Sequence, residues 1–361
     1  MAAVASISFS SAVAAALRSL RPDRKAAAIA LAVFAVLGLG RFAGPDSDGA
    51  RLPDRPSPAR IANLFLRQQP VTSVSRAALQ NSATGTCVLI LGTNGKLSVG
   101  VESPKPDLVV RLSACDLYNA SREAGSTELM GGASLSARNI FLSGTYTLAP
   151  GAIISAAANL ATHASPADNP YAGLEVPAYS GCTRINYKLD FQRTETVAPG
   201  VYCGGIEVAG GATLTLEPGI YILDRGNFTV SGGATARGAG VTIILASRNG
   251  SNYGTVDIRG GSTIAISAPV DGAPGVPGIA IWVDQRAPSA PATLVGGSTQ
   301  NINGAIYLPS QRVHFSGGAA SSIRCSQLVA ATVAFTGDSY FRHDCAGAGL
   351  SNPAPPLVLL D

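Results

Sequence analysis

The chain has 361 residues, of which 13% are charged, 46% are hydrophobic and 41 are glycine, with 23 prolines and a formal charge of +4. That apolar content excludes a wholly disordered chain, and prolines spread among so many glycines exclude a mostly helical one. Residues 1–80 carry 10 basic and 4 acidic side chains, which leaves residues 81–361 slightly acidic. A body that grips nucleic acid clusters Lys and Arg against phosphates, so no nucleic-acid partner is expected.

Arg18, Arg21, Arg24 and Lys25 precede an uninterrupted apolar run over residues 26–40. As a helix this run spans about 22 Å, short of the roughly 30 Å hydrocarbon core. A basic flank before a short apolar core is the layout of a signal sequence or a membrane anchor. The positive-inside rule keeps residues 1–25 in the cytoplasm and sends everything after Arg41 across the membrane. The chain then divides into a basic N-region with its signal sequence or anchor (1–43), a Pro-rich linker (44–80), a body (81–346) and a Pro-rich C-terminal tail (347–361).

The body repeats itself. A Gly-Gly-small-small word begins at Gly131, Gly210, Gly232, Gly260, Gly296 and Gly317, with closest spacings of 22 and 21 residues. A second word, Pro-Gly-aliphatic-Tyr, occurs as Pro199-Gly200-Val201-Tyr202 and Pro218-Gly219-Ile220-Tyr221, with a looser echo at Gly304-Ala305-Ile306-Tyr307. Short alternating segments accompany these words, such as Thr213-Leu214-Thr215-Leu216 and Thr263-Ile264-Ala265-Ile266. Alternation with period 2 sends apolar side chains to one face and hydroxyls to the other, and glycine pairs permit the positive φ of tight corners. The expected fold is all-β, a right-handed parallel β-helix preceded by an N-terminal hydrophobic helix, with a β-sandwich as the alternative. At roughly 20 residues per coil the body gives about a dozen rungs. Two insertions, residues 161–181 and 269–277, interrupt it.

Six cysteines, Cys87, Cys115, Cys182, Cys203, Cys325 and Cys345, all lie in the body, and none forms a C-x-x-C pair. Passage across a membrane favours disulfides. Pairing in sequence order gives Cys87–Cys115, Cys182–Cys203 and Cys325–Cys345, one of fifteen connectivities, with bridges near both ends of the coil and beside one insertion.

Little in the sequence points to catalysis. His163, His314 and His343 share no ligand spacing, and G-x-S-x-G, Gly-Lys-Ser/Thr and H-E-x-x-H motifs are absent. No cofactor and no metal are expected. Asp257-Ile258-Arg259 and Asp284-Gln285-Arg286 each place a carboxylate and a guanidinium two residues apart. These four residues, Asp257, Arg259, Asp284 and Arg286, form a speculative ligand face for an acidic sugar, or else solvated ion pairs. Trp282 reads as packing.

The body resembles the β-rich TadG-like proteins of Flp (tight-adherence) pilus assembly, in the alphaproteobacterial form without a von Willebrand domain. The words that carry the resemblance are Cys87-Val88-Leu89-Ile90-Leu91, Cys115-Asp116 followed by Asn119 and Ser121, Ala198-Pro199-Gly200-Val201-Tyr202-Cys203-Gly204-Gly205, Pro218-Gly219-Ile220-Tyr221, Ser267-Ala268-Pro269 and Gly304-Ala305-Ile306-Tyr307-Leu308-Pro309. The resemblance implies a bacterial inner-membrane anchor through residues 26–40 with a periplasmic body, or a secreted or cell-surface body if the anchor is cleaved. It also implies a non-catalytic role in pilus assembly or adhesion, with pilus or envelope components or surface polysaccharide as partners. Two alternatives stand beside it: a polysaccharide-active β-helix lyase or hydrolase, and a self-assembling structural scaffold.

Overall fold

The computed structural model describes residues 85–100, 107–295, 300–317, 325–344 and 350, which form 22 β-strands and no helix. The expected anchor of residues 26–40 and the linker of residues 44–80 lie outside the described residues, as does the tail apart from Leu350. Among the described residues no helix is long and apolar enough to cross a membrane.

The described residues are all-β, and their strands return to three parallel ladders in strict rotation. In the first part, β1 (Thr86–Ile90), β2 (Leu97–Val99) and β3 (Val109–Ser113) are followed by β4 (Asp116–Asn119) against β1 and β5 (Thr127–Leu129) against β2. The long β6 (Ser134–Leu142) then pairs with β3 through its first half and with β4 through its second. β7 (Tyr146–Leu148) pairs with β5, and β8 (Ile153–Ala161) runs the length of β6.

The second part starts afresh with β9 (Arg184–Leu189) and β10 (Thr194–Val197). β11 (Gly200–Val208) pairs with β9, β12 (Thr213–Leu216) with β10, and β13 (Gly219–Asp224) and β14 (Phe228–Val230) with successive halves of β11. β15 (Thr235–Ala239), β16 (Val241–Ala246) and β17 (Val256–Ile258) follow on β12, β13 and β14. β18 (Thr263–Ser267), β19 (Ile279–Val283) and β20 (Pro291–Leu294) add the next level. β21 (Gln300–Gly317) passes along all three, and β22 (Ser326–Arg342) pairs with β21. β22 then pairs with β1, β2 and β3.

The strands are therefore not stacked in chain order. The first strands and the last ones meet in the middle of the ladders, and the two ends are β7–β8 and β9–β10. Residues 162–183 carry the chain from one end to the other. The pairing also places the cysteines differently from expectation. Cys87 and Cys115 form a disulfide between neighbouring strands mid-ladder, and Cys325 sits beside the strands that pair with β1. Of the two described disulfides, Cys182–Cys203 is the one near an end. Cys325 is disulfide-bonded, but Cys345 lies outside the described residues. The sandwich alternative needs antiparallel sheets, whereas the pairings between these strands are parallel.

Two kinds of strand arise from two kinds of burial. On the ladder of β10, β12, β15 and β18 the inner side chains Leu214, Ala236 and Ile264 are buried, while Thr213, Thr235 and Thr263 remain partly exposed. Such strands alternate, because only one face meets the core. β1, β16 and β19 are buried at every position (TCVLI, VTIILA, IAIWV). Their second face is covered by an outer cluster that includes Leu89, Ile244, Trp282, Tyr307 and Val329.

The repeated words now have physical roles. Gly210–Gly211, Gly232–Gly233 and Gly260–Gly261 all adopt positive φ and stack at one corner, joined by Gly211 N–H to Gly232 O at 2.9 Å and Gly233 N–H to Gly260 O at 2.9 Å. In each Pro-Gly-aliphatic-Tyr word the tyrosine turns inward and donates to the carbonyl just before the proline: Tyr202 to Ala198 at 2.7 Å and Tyr221 to Glu217 at 2.8 Å. Tyr307 departs from this pattern, since it belongs to the outer cluster.

Candidate functional site

Residues 162–183 form a strap along the outer side of the first ladder, touching it level by level. His163 and Ala164 donate backbone N–H groups to Gly144 and Leu142. Asn169 accepts the Tyr171 N–H at 3.0 Å, the local bond that asparagine readily makes in a turn. Its amide donates to the Tyr307 hydroxyl oxygen at 2.8 Å, and the Tyr171 hydroxyl donates to Gln327. Gln327 in turn donates to the Thr86 carbonyl at 3.0 Å, so this level ties together β22, β1 and the strap. The Gln285 amide donates to the carbonyls of Ala172 and Leu174 at 3.2 and 3.1 Å. Ala164 and Tyr171 are buried in the outer cluster, and Leu174, Val176 and Tyr179 pack against it. The first insertion read from the sequence thus covers much of the outer side of one ladder.

The far end of the strap is fastened by a buried carboxylate. Asp224 closes β13 and is 0% exposed. It accepts the Tyr179 hydroxyl at 2.9 Å, the Arg248 backbone N–H at 3.0 Å, Arg248 Nε at 2.7 Å and Arg225 Nε at 3.1 Å. Burial by itself raises a carboxyl pKa, but these donors outweigh it and hold Asp224 below the usual carboxylate range. Burial first, and then the bond to Asp224, push the Tyr179 phenol upward, so it stays a donor. Arg248 also donates through Nη2 to the Gly181 carbonyl at 2.9 Å, next to the Cys182–Cys203 disulfide. One carboxylate, two guanidiniums, one phenol and one disulfide therefore lock the strap onto β11, β13 and β16.

The four residues of the expected ligand face divide between two ladders. Asp257 lies on β17 in register with Thr229 and Thr293, and its carboxylate is 3.3 Å from Arg259. Asp284 follows β19 and is buried; Arg286 binds both its oxygens, through Nε at 3.1 Å to each and through Nη2 at 2.6 Å. Asp284 lies near the strap anchor, where its charge helps raise the Tyr179 phenol. Trp282 is 1% exposed within the outer cluster, so it packs beneath the strap.

Sequence reasoning did not single out Tyr179, Asp224 or Arg248. The available signal was Asp224 at the end of a continuous apolar run, a position where a charge requires a partner. Nearby, a polar groove of about 480 Å³ is lined by Asn186, Lys188, Glu207, Arg225, Asn252 and Tyr253, with Lys188 and Glu207 paired at 2.8 Å across β9 and β11. A further exposed feature is a column of hydroxyls: Thr194, Thr213, Thr235 and Thr263 stand in register on β10, β12, β15 and β18. Among the described residues, no group of three or more His, Cys, Asp or Glu is placed to hold a metal. No family model, curated protein or solved structure matches the chain.

Proposed function

We propose that this chain is an exported, non-catalytic protein of the bacterial cell envelope, with a body that is a right-handed parallel β-helix acting in Flp-type pilus assembly or surface adhesion. Three ladders visited in rotation support the helix, and the strong preference of parallel crossovers supplies its hand. Two disulfides, Cys87–Cys115 and Cys182–Cys203, favour an oxidising compartment. The export segment of residues 26–40 leaves the body in the periplasm, or on the surface after cleavage.

The observation that carries the functional reading is the threonine column. Thr194, Thr213, Thr235 and Thr263 repeat one hydroxyl at the spacing of adjacent strands, about 4.8 Å. A regular face of this kind holds a polymer or a partner protein through many equal, weak contacts. Acid–base catalysis instead needs groups converging on one reacting atom, and the carboxylate of Asp284 is already chelated by Arg286.

Replacing Thr213 and Thr235 together by lysine tests the reading. Export and the thermal melt should be preserved, while cell attachment or pilus number falls at least tenfold. Unchanged attachment and piliation would contradict the role assigned to this face. The lyase reading predicts instead that uronic-acid polymers are cleaved, and that Asp257→Asn or Asp284→Asn abolishes the cleavage.

A further inference from the structure

Cys182 and Cys203 share one bond but not one environment. Cys182 lies just before β9 and is exposed. Cys203 sits within β11, immediately before the positive-φ pair Gly204–Gly205, and is only 6% exposed. An incoming sulfur therefore reaches Cys182 and not Cys203. Cys87 and Cys115 are both 0% exposed, which closes their bridge to attack in the folded chain.

A fixed cation stands at the less accessible sulfur. Arg248 Nη2 lies 3.0 Å from Cys203 Sγ and 3.7 Å from Cys182 Sγ. The guanidinium is held there by Asp224 Oδ2 at 2.7 Å, by the Gly181 carbonyl at 2.9 Å and by the Tyr179 ring, whose centroid is 5.7 Å from Cζ. Asp224 does not use up its charge, because Arg225 pairs with the same carboxylate at 3.1 Å. Two guanidiniums against one carboxylate leave one positive charge for the sulfur. A positive charge beside a sulfur stabilises its thiolate, and the more stable thiolate is the better leaving group. The exposed sulfur is thus placed to be attacked and the charge-stabilised one to depart. Backbone contacts keep the two together: the Thr183 N–H donates to the Val201 carbonyl at 2.7 Å, and the Val201 N–H donates to Thr183 Oγ1 at 3.0 Å. None of these bonds depends on the disulfide, so an opened bridge stays poised to close again.

We infer that Cys182–Cys203 is a site of thiol–disulfide exchange with a dithiol reductant, with Cys182 as the attacked sulfur and Cys203 as the leaving one. A thiolate of the reductant attacks Cys182 Sγ, and the Cys182–Cys203 bond breaks. Its electron pair leaves on Cys203 as a thiolate held by Arg248, and a mixed disulfide joins Cys182 to the reductant. The second thiolate of the reductant then breaks that mixed disulfide. The reductant departs oxidised to its own disulfide, and Cys182 takes a proton from water to become a thiol. Two electrons have passed to the protein sulfurs, and the same steps in reverse restore the bridge. The inference rests on this bond and its surroundings and does not depend on the envelope role.

Dithiothreitol tests it on the purified full-length chain, oxidised in vitro so that the result is independent of cellular compartment. Samples are quenched in acid, unfolded, alkylated and mapped by peptide mass. Cys182–Cys203 should open about tenfold faster than Cys87–Cys115, or more. With the monothiol 2-mercaptoethanol as the probe, the adduct should form on Cys182 in about tenfold excess over Cys203. Arg248→Gln should slow the opening about fivefold, and Arg248→Lys, which keeps the charge, should slow it less. Tyr179→Phe loosens the strap while keeping the guanidinium, and should not slow it. Equal opening of the two bridges, adducts on Cys203, or an Arg248→Gln chain that opens as fast as wild type would overturn the inference.

Discussion

Val88 stands opposite Leu328 in a parallel strand pair, although one belongs to the first strand of the body and the other to the last. This pairing fixes the order of the ladders: outward from β1 to β8, across the strap, and back from β9 to β22. The strap is what makes the order possible, and the groups that fasten it are the ones whose loss should be felt most.

Asp224→Ala should destabilise the body by about 2 to 3 kcal/mol, the range for losing hydrogen bonds to a charged group. The partly exposed arginines can rehydrate, which keeps the cost below that of an abandoned buried charge. Because the folded pKa of Asp224 is lowered, its contribution is complete above the unfolded value of about 3.9 and fades as the pH falls through the folded value. Chemical denaturation at pH 7 and pH 3 checks both parts: the gap between wild type and variant should narrow in acid.

His343 gives a second pH response in a different window. Its ring lies against Gly85, where even a Cβ would collide with it. Burial lowers its pKa, so folding favours the neutral ring. That contribution is intact above the unfolded value of about 6.5 and is lost as the pH falls from there toward the folded value. Denaturant midpoints should therefore drop between pH 7.5 and pH 5.5 in wild type, and drop less in His343→Gln.

Much of this was legible in the sequence, and the limits have physical causes. The corners announced themselves because two consecutive positive φ values favour Gly-Gly, as at Gly232 and Gly233. Alternation in Thr213–Leu216 named a half-buried strand. Two sequence-order disulfides were also read correctly. The level order was hidden, because parallel pairing by generic aliphatics does not say which level is the neighbour. The covered ladder was recorded in the near-continuous apolar runs of β16, broken only at Thr242, and β19, which signal burial on both faces. The Tyr307 echo misled because the strap, remote in sequence, decides which way that ring faces.

The glycine corner can be tested in both directions. At the terminal level of the stack the corner is Phe191–Gln192, with φ of 55° and 58°, and Phe191 N lies against Gly210. Non-glycine residues pay a steric penalty in this region, so Phe191→Gly with Gln192→Gly should stabilise by about 1 kcal/mol. Gly233→Ala has open space around the new Cβ and should cost only the conformational strain, about 1 to 2 kcal/mol. At Gly226 the new Cβ would collide with the backbone of Gly204 and Gly205, so Gly226→Ala should not fold. Thermal melts of the three variants should rank in that order.

The central claim, an exported body with out-of-order parallel ladders, is tested most directly by non-reducing peptide mapping of the native protein recovered from fractionated cells. The account predicts recovery in the envelope or secreted fraction, with Cys87 linked to Cys115 and Cys182 linked to Cys203. Free thiols at these four positions in a cytosolic fraction, or Cys87 joined to Cys345, would contradict it.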